Sequence, residues 1–433
     1  MKLPNWPLPK YMNSIHLGLE RILALLDKLG NPEKHISPVF HIAGTNGKGS
    51  VSAFIKYILE SGGYRVHRNT SPHLVRFNER IEINGREIED SYYEELADEC
   101  RHTIENNNLE CSYFEAIVAI ALMAFARNES DATILEVGMG GRLDATNIIE
   151  NPLVSIITPI SLDHEGSLGD TVEKIAVEKA GIIKRNRPVV ISKQPEGARD
   201  VLIKIAKSLD CPIYMEGIDW EYKKSGEFCE FSGFGRKITT PPPALEGKHQ
   251  LINAGTAIAA LLCQNSIVLE ESSIPRGLGE VSWRARLQNL SNTKLQKYLE
   301  EDTELYLDGG HNEGCAQVLR DWLEEKDRDE KKDNILIICM LERKNSKAFI
   351  EVLGKLFFGI IVVSNTNQAY KGAKEFVKEF NDLGLDVHGT CDSVESSLEM
   401  AKKIEAHRKK RILICGSIYF CGEVLSILEP EAQ

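Results

Sequence analysis

A chain of 433 residues with 42% hydrophobic and 27% charged residues has the composition of a globular protein, and its length favours two domains over a single core. The net charge of −12 argues against a nucleic-acid partner, because a phosphate backbone demands a basic footprint. No apolar run approaches the roughly 18–20 residues of a bilayer span, the proline-rich start "MKLPNWPLPKYMN" does not read as a signal peptide, and ten cysteines without metal-ligand spacing point to reduced thiols in a cytoplasmic protein.

In chain order, the first strand is "VFHIA" (39–43), followed by "GTNGKG" and a helix over 50–61. That strand–loop–helix order is what a phosphate loop requires. Glycines let backbone N–H groups approach an anion, and the helix start adds partial positive charge. Lys48 can reach terminal phosphates, and Ser50 can cap the helix or meet a cation. The spelling departs from the familiar pattern, which has a glycine where Ile42 stands and none between Lys48 and Ser50. A plain glycine-rich turn is the competing reading.

Next, "RIEINGREI" (80–88) alternates apolar and charged residues around Asn84-Gly85, a hairpin signal. A helix is expected over 114–127, then the strand "ATILEV" (132–137), which brings Glu136 to its carboxyl end. Ligands bind at that edge of a parallel sheet, and an acid there can hold Mg²⁺. The glycines of "GMGGRLDATN" (138–147) follow, with Asp144 nearby. The strand "LVSIIT" (153–158) places Asp163 and His164 just beyond its end, and a helix is expected over 170–183. On that helix Val172, Ile175, Ala176, Lys179 and Ile183 share one face, so Lys179 interrupts an apolar stripe. A lysine there must snorkel, pair with an acid, or lose its proton and react with CO₂ to give a carbamate.

A strand at 188–192 and helices over 196–208 and 250–264 complete the first part. Beyond residue 290 the alternation resumes, with strands near 304–308, 335–340, 359–363 and 411–415. The charge run "EEKDRDEKKD" (324–333) reads as a solvated helix end and loop. The whole is an α/β chain: a P-loop-type, mostly parallel sheet with flanking helices over 1–290, and a smaller Rossmann-like α/β domain over 291–433.

Taken together, "GTNGKGS" (44–50), "SPHLVRFNERI" (71–81), "LEVGMGGRLDATN" (135–147), "LDHEGSLGDTVEKIAVEKAGIIK" (162–184), "LDGGHN" (307–312) and "GSIYFCGEVL" (416–425) resemble the folylpolyglutamate synthases and dihydrofolate synthases of the Mur ligase superfamily. The unusual loop spelling is itself a mark of that superfamily. The resemblance implies an ATP-dependent ligase that joins glutamate to dihydropteroate, to a reduced folate, or to both, through an acyl phosphate. It implies small-molecule partners only, a monomer, ATP as substrate, one or two Mg²⁺ ions and room for K⁺.

Carried over by motif, Gly44, Thr45, Asn46, Gly47, Lys48, Gly49 and Ser50 would hold the ATP phosphates. Asn253 would contact adenine, while Arg286, Asp308 and His311 would reach the nucleotide from the second domain. Ser50, Ser71, Glu136 and His164 would position the metal, and Lys48, His164 and Lys179 would carry the chemistry, with Lys179 matching the lysine carbamylated in relatives. Phe114, Glu115 and Ala116, with Leu143, Asp144 and Ala145, match segments lining the pterin pocket.

Four places depart from the family pattern. Arg284-Ala285 stands for Pro-Gly, "DGGHN" has a second glycine where alanine is usual, "ERKN" (342–345) replaces "DKD", and His16 stands where some bifunctional relatives carry an aspartate. A cell-wall amino-acid ligase of the same superfamily is the nearest rival, and "SPHLVRFNERI" counts against it. A nucleotide-binding protein without chemistry would have no need of Lys48, Glu136, His164 and Lys179 together.

Overall fold

The computed structural model describes residues 6–7, 18–364 and 369–429. The described residues within 1–161, 165–244 and 250–282 form one compact unit, and those within 162–164, 245–249 and 283–433 form another. Among the described residues no helix is long and apolar enough to cross a membrane.

The first unit is built on an eight-stranded sheet of β1 (Val39–Ala43), β2 (Val66–Asn69), β3 (Ile81–Ile83), β4 (Arg86–Glu87), β5 (Ala132–Glu136), β6 (Val154–Ile157), β7 (Val189–Ile191) and β8 (Ile213–Met215). Its order is β4-β3-β2-β5-β1-β6-β7-β8. From β2 to β8 every neighbouring pair is parallel. Every residue of β1, β2, β5, β6 and β7 is buried, as expected of strands covered on both faces. Asn84 (φ 49°) and Gly85 (φ 79°) turn β3 antiparallel onto β4, which is the hairpin the sequence announces.

The expected helices at 50–61, 114–127, 196–208 and 250–264 appear as Lys48–Ser61, Tyr113–Arg127, Glu196–Ser208 and His249–Leu262. Tyr113–Arg127 starts at a capping box, in which Ser112 and Glu115 satisfy each other's backbone N–H. The expected 170–183 helix is shorter. Thr171 caps it by accepting from the Lys174 N–H, and the helix runs Val172–Ala180. At its end Gly181 packs against the backbone of Arg142, where a Cβ would stand 2.3 Å from Arg142 Cα. Ile183 is buried as its apolar character demands, but it lies past the helix end.

Sequence periodicity missed a second, antiparallel sheet of β9 (Trp220–Ser225), β10 (Phe228–Gly233) and β11 (Arg236–Thr240). Its signals were present. Trp220, Tyr222, Cys229, Phe231, Ile238 and Thr240 alternate inward, and Gly226 and Gly235 take the left-handed turns.

The second unit carries β12 (Gln288–Asn289), β13 (Glu304–Leu307), β14 (Asp333–Ile338), β15 (Gly359–Val363), β16 (Gly389–Cys391) and β17 (Lys410–Cys415) in the order β12-β13-β17-β14-β15-β16. All pairs are parallel except β12 with β13. Leu319, Trp322, Phe349, Phe376, Phe380 and Leu413 belong to its core.

The charge run at 324–333 is only partly solvated. Asp327 accepts from the fully buried Arg411 at 2.6 Å, Lys332 pairs with Glu304 at 2.9 Å, and Asp333 accepts the backbone N–H groups of His407 and Arg408. A guanidinium with 1% exposure must be paired to be tolerated, and Asp327 and Glu304 supply its partners.

Candidate active site

Because β2, β5, β1 and β6 run parallel side by side, the residues at and just beyond their carboxyl ends gather on one edge of the first sheet. Ser71 follows β2, Glu136 ends β5, the loop Gly44–Ser50 follows β1, and Pro159–Ser161 follows β6. The loop is pinned to its neighbour. The Thr45 and Asn46 N–H groups both donate to the Pro159 carbonyl at 3.1 Å. Thr45 Oγ1 donates to the Ser161 carbonyl and accepts from the Ser161 N–H, each at 3.1 Å, while Asn46 Nδ2 reaches Ser161 Oγ. Thr45 and Asn46 therefore spend these groups on shaping the loop, and Gly47 to Ser50 open the helix Lys48–Ser61.

Two glycines make this shape attainable. Gly44 has φ +149°, and a Cβ there would stand 1.8 Å from Thr158 Oγ1. Gly47 has φ +88°, and its Cβ would meet Asn253 Oδ1 at 2.4 Å. Asn253 is thus held against the loop, with its Nδ2 donating to Gln250 Oε1 at 2.9 Å.

The Gly44 carbonyl receives two lysines: Lys48 Nζ at 3.1 Å and Lys179 Nζ at 2.8 Å. Lys179 is 4% exposed, so the lysine that interrupts the apolar stripe does not snorkel to solvent but points into the glycine loop 44–50. Ser50 Oγ, buried at the same helix start, has no hydrogen-bond partner. Such an orphaned hydroxyl beside a loop of N–H groups suits a cation carried by phosphate oxygens. Among the described residues no group of three or more His, Cys, Asp or Glu side chains could hold a metal by itself.

The segment after Glu136 is tightly held. Asp144 Oδ2 accepts from Gly138 N and Met139 N at 3.1 and 3.0 Å. Its Oδ1 accepts from Thr146 N and Oγ1 at 3.0 and 2.6 Å. Burial pushes the Asp144 carboxyl up, and these four donors oppose the rise. Phe114 lies over Gly138, whose added Cβ would fall 2.5 Å from the ring. Glu115, in the same helical turn, forms a two-toothed ion pair with Arg21 at 3.1 and 3.0 Å. Ala116 and Ala145 are buried, while Leu143 is half-buried.

In the second unit Asp308 is buried and accepts from Leu287 N at 2.8 Å and Gly310 N at 2.7 Å. Burial raises its pKa, and the nearby Arg286 opposes that rise. His311 Nδ1 lies 2.8 Å from the Gly309 carbonyl, and its Nε2 lies 3.6 Å from Asp163 Oδ2. Asp163 also pairs with Lys344 at 2.6 Å and accepts His164 N at 2.8 Å. Burial disfavours the Asp163 charge, yet His311, Lys344 and His164 outweigh it and hold the carboxyl well below the usual range. The structure therefore places Ser50, Ser71, Glu136, Lys48, Lys179 and Asn253 in the first unit, and His164, Arg286, Asp308 and His311 in the second. His16 lies outside the described residues.

The family model described as the Mur ligase middle domain matches residues 42–261, and the dihydrofolate synthetase C-terminal domain matches 291–427. The chain is 31% identical to the dihydrofolate synthase/folylpolyglutamate synthase of Bacillus subtilis, over 94% of each chain. It is 30% identical to the dihydrofolate synthetase of Saccharomyces cerevisiae, over 96% of this chain and 98% of that one. The structure of E. coli FolC in complex with DHPP and ADP superposes with TM-score 0.84 at 29% identity, covering 96% and 94% of the two chains. The chain belongs to the dihydrofolate synthase/folylpolyglutamate synthase family.

Membership of the dihydrofolate synthase/folylpolyglutamate synthase family makes the chain an ATP-dependent ligase and gives its departures a physical reading. Where the family pattern has Pro-Gly, Ala285 takes φ +56° and is buried, so alanine occupies a left-handed position suited to glycine. Gly310, where alanine is usual, has little room, because a Cβ would stand 2.9 Å from Asp308 Oδ1 and 3.0 Å from Cys315 Cβ. In "ERKN" the lysine is the partner of Asp163, a contact that sequence reading missed because 181 positions separate the two residues.

The folate-branch segment "SPHLVRFNERI" is organised by Glu79, which was also missed. Its carboxylate accepts the N–H groups of Leu74, Val75 and Arg76 at 2.7, 2.9 and 2.8 Å. Hydrogen bonds to a charged group contribute about 1.5–3 kcal/mol each net of exchange with water, and less where water can reach the freed groups. We expect Glu79→Ala to cost about 2–4 kcal/mol locally and to speed amide hydrogen exchange at residues 74–76. Unchanged exchange there would remove Glu79 from this role.

Proposed function

We propose that this ligase joins L-glutamate to dihydropteroate and extends reduced folates with further glutamates, using ATP and Mg²⁺. The observation that carries the reading is the meeting of Lys48 and Lys179 on the Gly44 carbonyl, at the start of a helix that follows a glycine loop. Lysine side chains and the N–H groups of a helix start gathered on one glycine loop suit a polyphosphate as occupant.

A carboxylate and an amine do not condense in water at neutral pH. The pteroate carboxylate therefore attacks the γ-phosphorus of ATP, the bond to the β-phosphate oxygen breaks, and ADP leaves. The acyl phosphate so formed is attacked by the glutamate amine; phosphate departs, an amide bond forms and one proton is lost. Lys48 and the N–H groups of Gly47 to Ser50 offset charge that grows on the phosphoryl oxygens. Ser50, Ser71, Glu136 and His164 are the residues we assign to Mg²⁺, which when bound screens the phosphates; one or two ions, with K⁺ as a further cation, fit this assignment.

Asn253 is assigned to adenine, Arg286, Asp308 and His311 to the nucleotide, and Phe114, Glu115, Ala116, Leu143, Asp144 and Ala145 to the pterin side. Similarity to E. coli FolC in complex with DHPP and ADP supports the pterin and nucleotide assignments. A solved bifunctional folylpolyglutamate synthase/dihydrofolate synthase with Mn, AMPPNP and L-glutamate bound, 28% identical with TM-score 0.83, supports a metal site and the use of L-glutamate as the amine. Ten free thiols support a reducing, cytoplasmic setting, and we take the working form to be a monomer.

The test is ADP release by the purified protein with Mg²⁺ and glutamate. Dihydropteroate is expected to stimulate it, and tetrahydrofolate to stimulate it separately. Stimulation by tetrahydrofolate alone would restrict the enzyme to chain extension, and stimulation by neither would overturn the reading.

A further inference from the structure

The proposed chemistry uses no atom of His41, yet His41 is the only polar side chain of β1 and is wholly buried. An apolar residue there would avoid the cost of desolvating an imidazole. Its Nε2 lies 2.9 Å from Thr146 Oγ1. Thr146 Oγ1 lies 2.6 Å from Asp144 Oδ1, and the other Asp144 oxygen holds the N–H groups of Gly138 and Met139.

The direction of this chain follows from donor chemistry. An ionised carboxylate only accepts, so the threonine proton points to Asp144, and Thr146 Oγ1 must accept from an Nε2–H of His41. The ring is then neutral, with Nδ1 bare, and Nδ1 has no hydrogen-bond partner. Burial, with Lys184 nearby, holds the imidazole pKa down at about 3, in keeping with that tautomer. At its other end the loop is fixed to the Lys179 helix, through Arg142 N to the Glu178 carbonyl at 2.7 Å and Asn147 Nδ2 to the Gly181 carbonyl at 3.1 Å.

We propose that His41 is a positioning residue for the folate substrate: acting through Thr146 and Asp144, it holds the loop 138–147 in the shape that presents Leu143 to Ala145 to the pterin. The proposal rests on the assignment of those three residues to the pterin side. It makes β1 a two-ended part, with the phosphate loop at its tip and the folate loop fastened to its middle. The same chain predicts which substrate suffers when it breaks, because the phosphate loop has its own supports in Pro159 and Ser161.

The experiment compares Thr146→Val, which keeps the shape but loses the hydroxyl, with Thr146→Ser, which keeps it, and adds His41→Leu and the double variant. Thr146→Val and His41→Leu should each raise the KM for dihydropteroate about tenfold, as expected for a lost buried hydrogen bond, while the KM for ATP stays within about twofold. Thr146→Ser should restore the wild-type KM. The double variant should be no worse than the poorer single one, because both cut the same chain. Equal rises in both KM values, an unmoved dihydropteroate KM, or multiplying effects in the double variant would each overturn the proposal. Should Thr146→Val fail to fold, His41→Gln, which retains an N–H toward Thr146, against His41→Leu reads the same split. A wild type that dihydropteroate does not stimulate overturns the functional reading itself, whereas a stimulated wild type with unmoved variants overturns only the role of His41.

Discussion

Lys179→Ala is expected to lower kcat by at least about 10³-fold, the scale seen when a group stabilising transition-state charge is removed. Lys179 is buried and its Nζ donates to the Gly44 carbonyl, so it sits on the backbone of the phosphate loop itself. Alanine would remove the whole functional end of the side chain from that place and leave a cavity in the helix–sheet packing, so a thermal melt must accompany the kinetics. Two chemical forms of the lysine make different rescue predictions. As an ammonium it would be replaced in part by Lys179→Arg. As a carbamate, formed when the neutral amine adds CO₂ and releases a proton, it would be replaced in part by added short-chain carboxylates. A folded Lys179→Ala protein with near-native kcat would sink both forms and remove Lys179 from the reaction.

The second large effect is expected of Gly44→Ala. A methyl group there would overlap Thr158 Oγ1 at 1.8 Å and crowd the Thr158 carbonyl at 2.9 Å, at a φ of +149° that alanine rarely adopts. Overpacking against backbone adds to the cost of the strained dihedral, and we expect a loss of about 3–5 kcal/mol. Gly47→Ala should be milder in packing, because the obstacle at 2.4 Å is the end of the Asn253 side chain, which can turn. Both variants should bind ATP poorly, since each moves the backbone that the proposed function assigns to the phosphates. The checks are the melting temperature and a nucleotide-binding isotherm. A Gly44→Ala protein that melts and binds ATP like the wild type would show that the loop's path is not what binding requires.

Much of this architecture could be read from sequence, for identifiable reasons. β1, β5, β6 and β7 fall where largely apolar runs occur, whereas β2, equally buried but written Val-His-Arg-Asn, carries no such signal. Lys179 was legible because one charge on an apolar helix face violates the local pattern. What escaped was fixed by contacts between distant positions. Glu79 is an ordinary glutamate until the three N–H groups it collects are known. His41 looks like a strand residue until Thr146, 105 positions away, is placed beside it. The antiparallel sheet of β9 to β11 was missed for a different reason: its two-residue alternation is short, and the surrounding α/β rhythm draws the eye past it. In the charge run the sequence pattern could not separate the paired Asp327, Lys332 and Asp333 from their solvated neighbours, because the partners lie elsewhere in the chain.

The pinning of Thr45 and Asn46 to Pro159 and Ser161 has a consequence for the thermodynamics of nucleotide capture. A loop that had to order itself around each arriving phosphate would surrender part of every contact to lost conformational freedom. This one is braced by bonds to the neighbouring strand end that belong to the fold itself, so part of that expense falls on folding rather than on each catalytic cycle. Capture of nucleotide by such a loop resembles a key meeting a cut lock. On the proposed assignment of this loop to the ATP phosphates, the energy of its contacts would stay available for the chemical step.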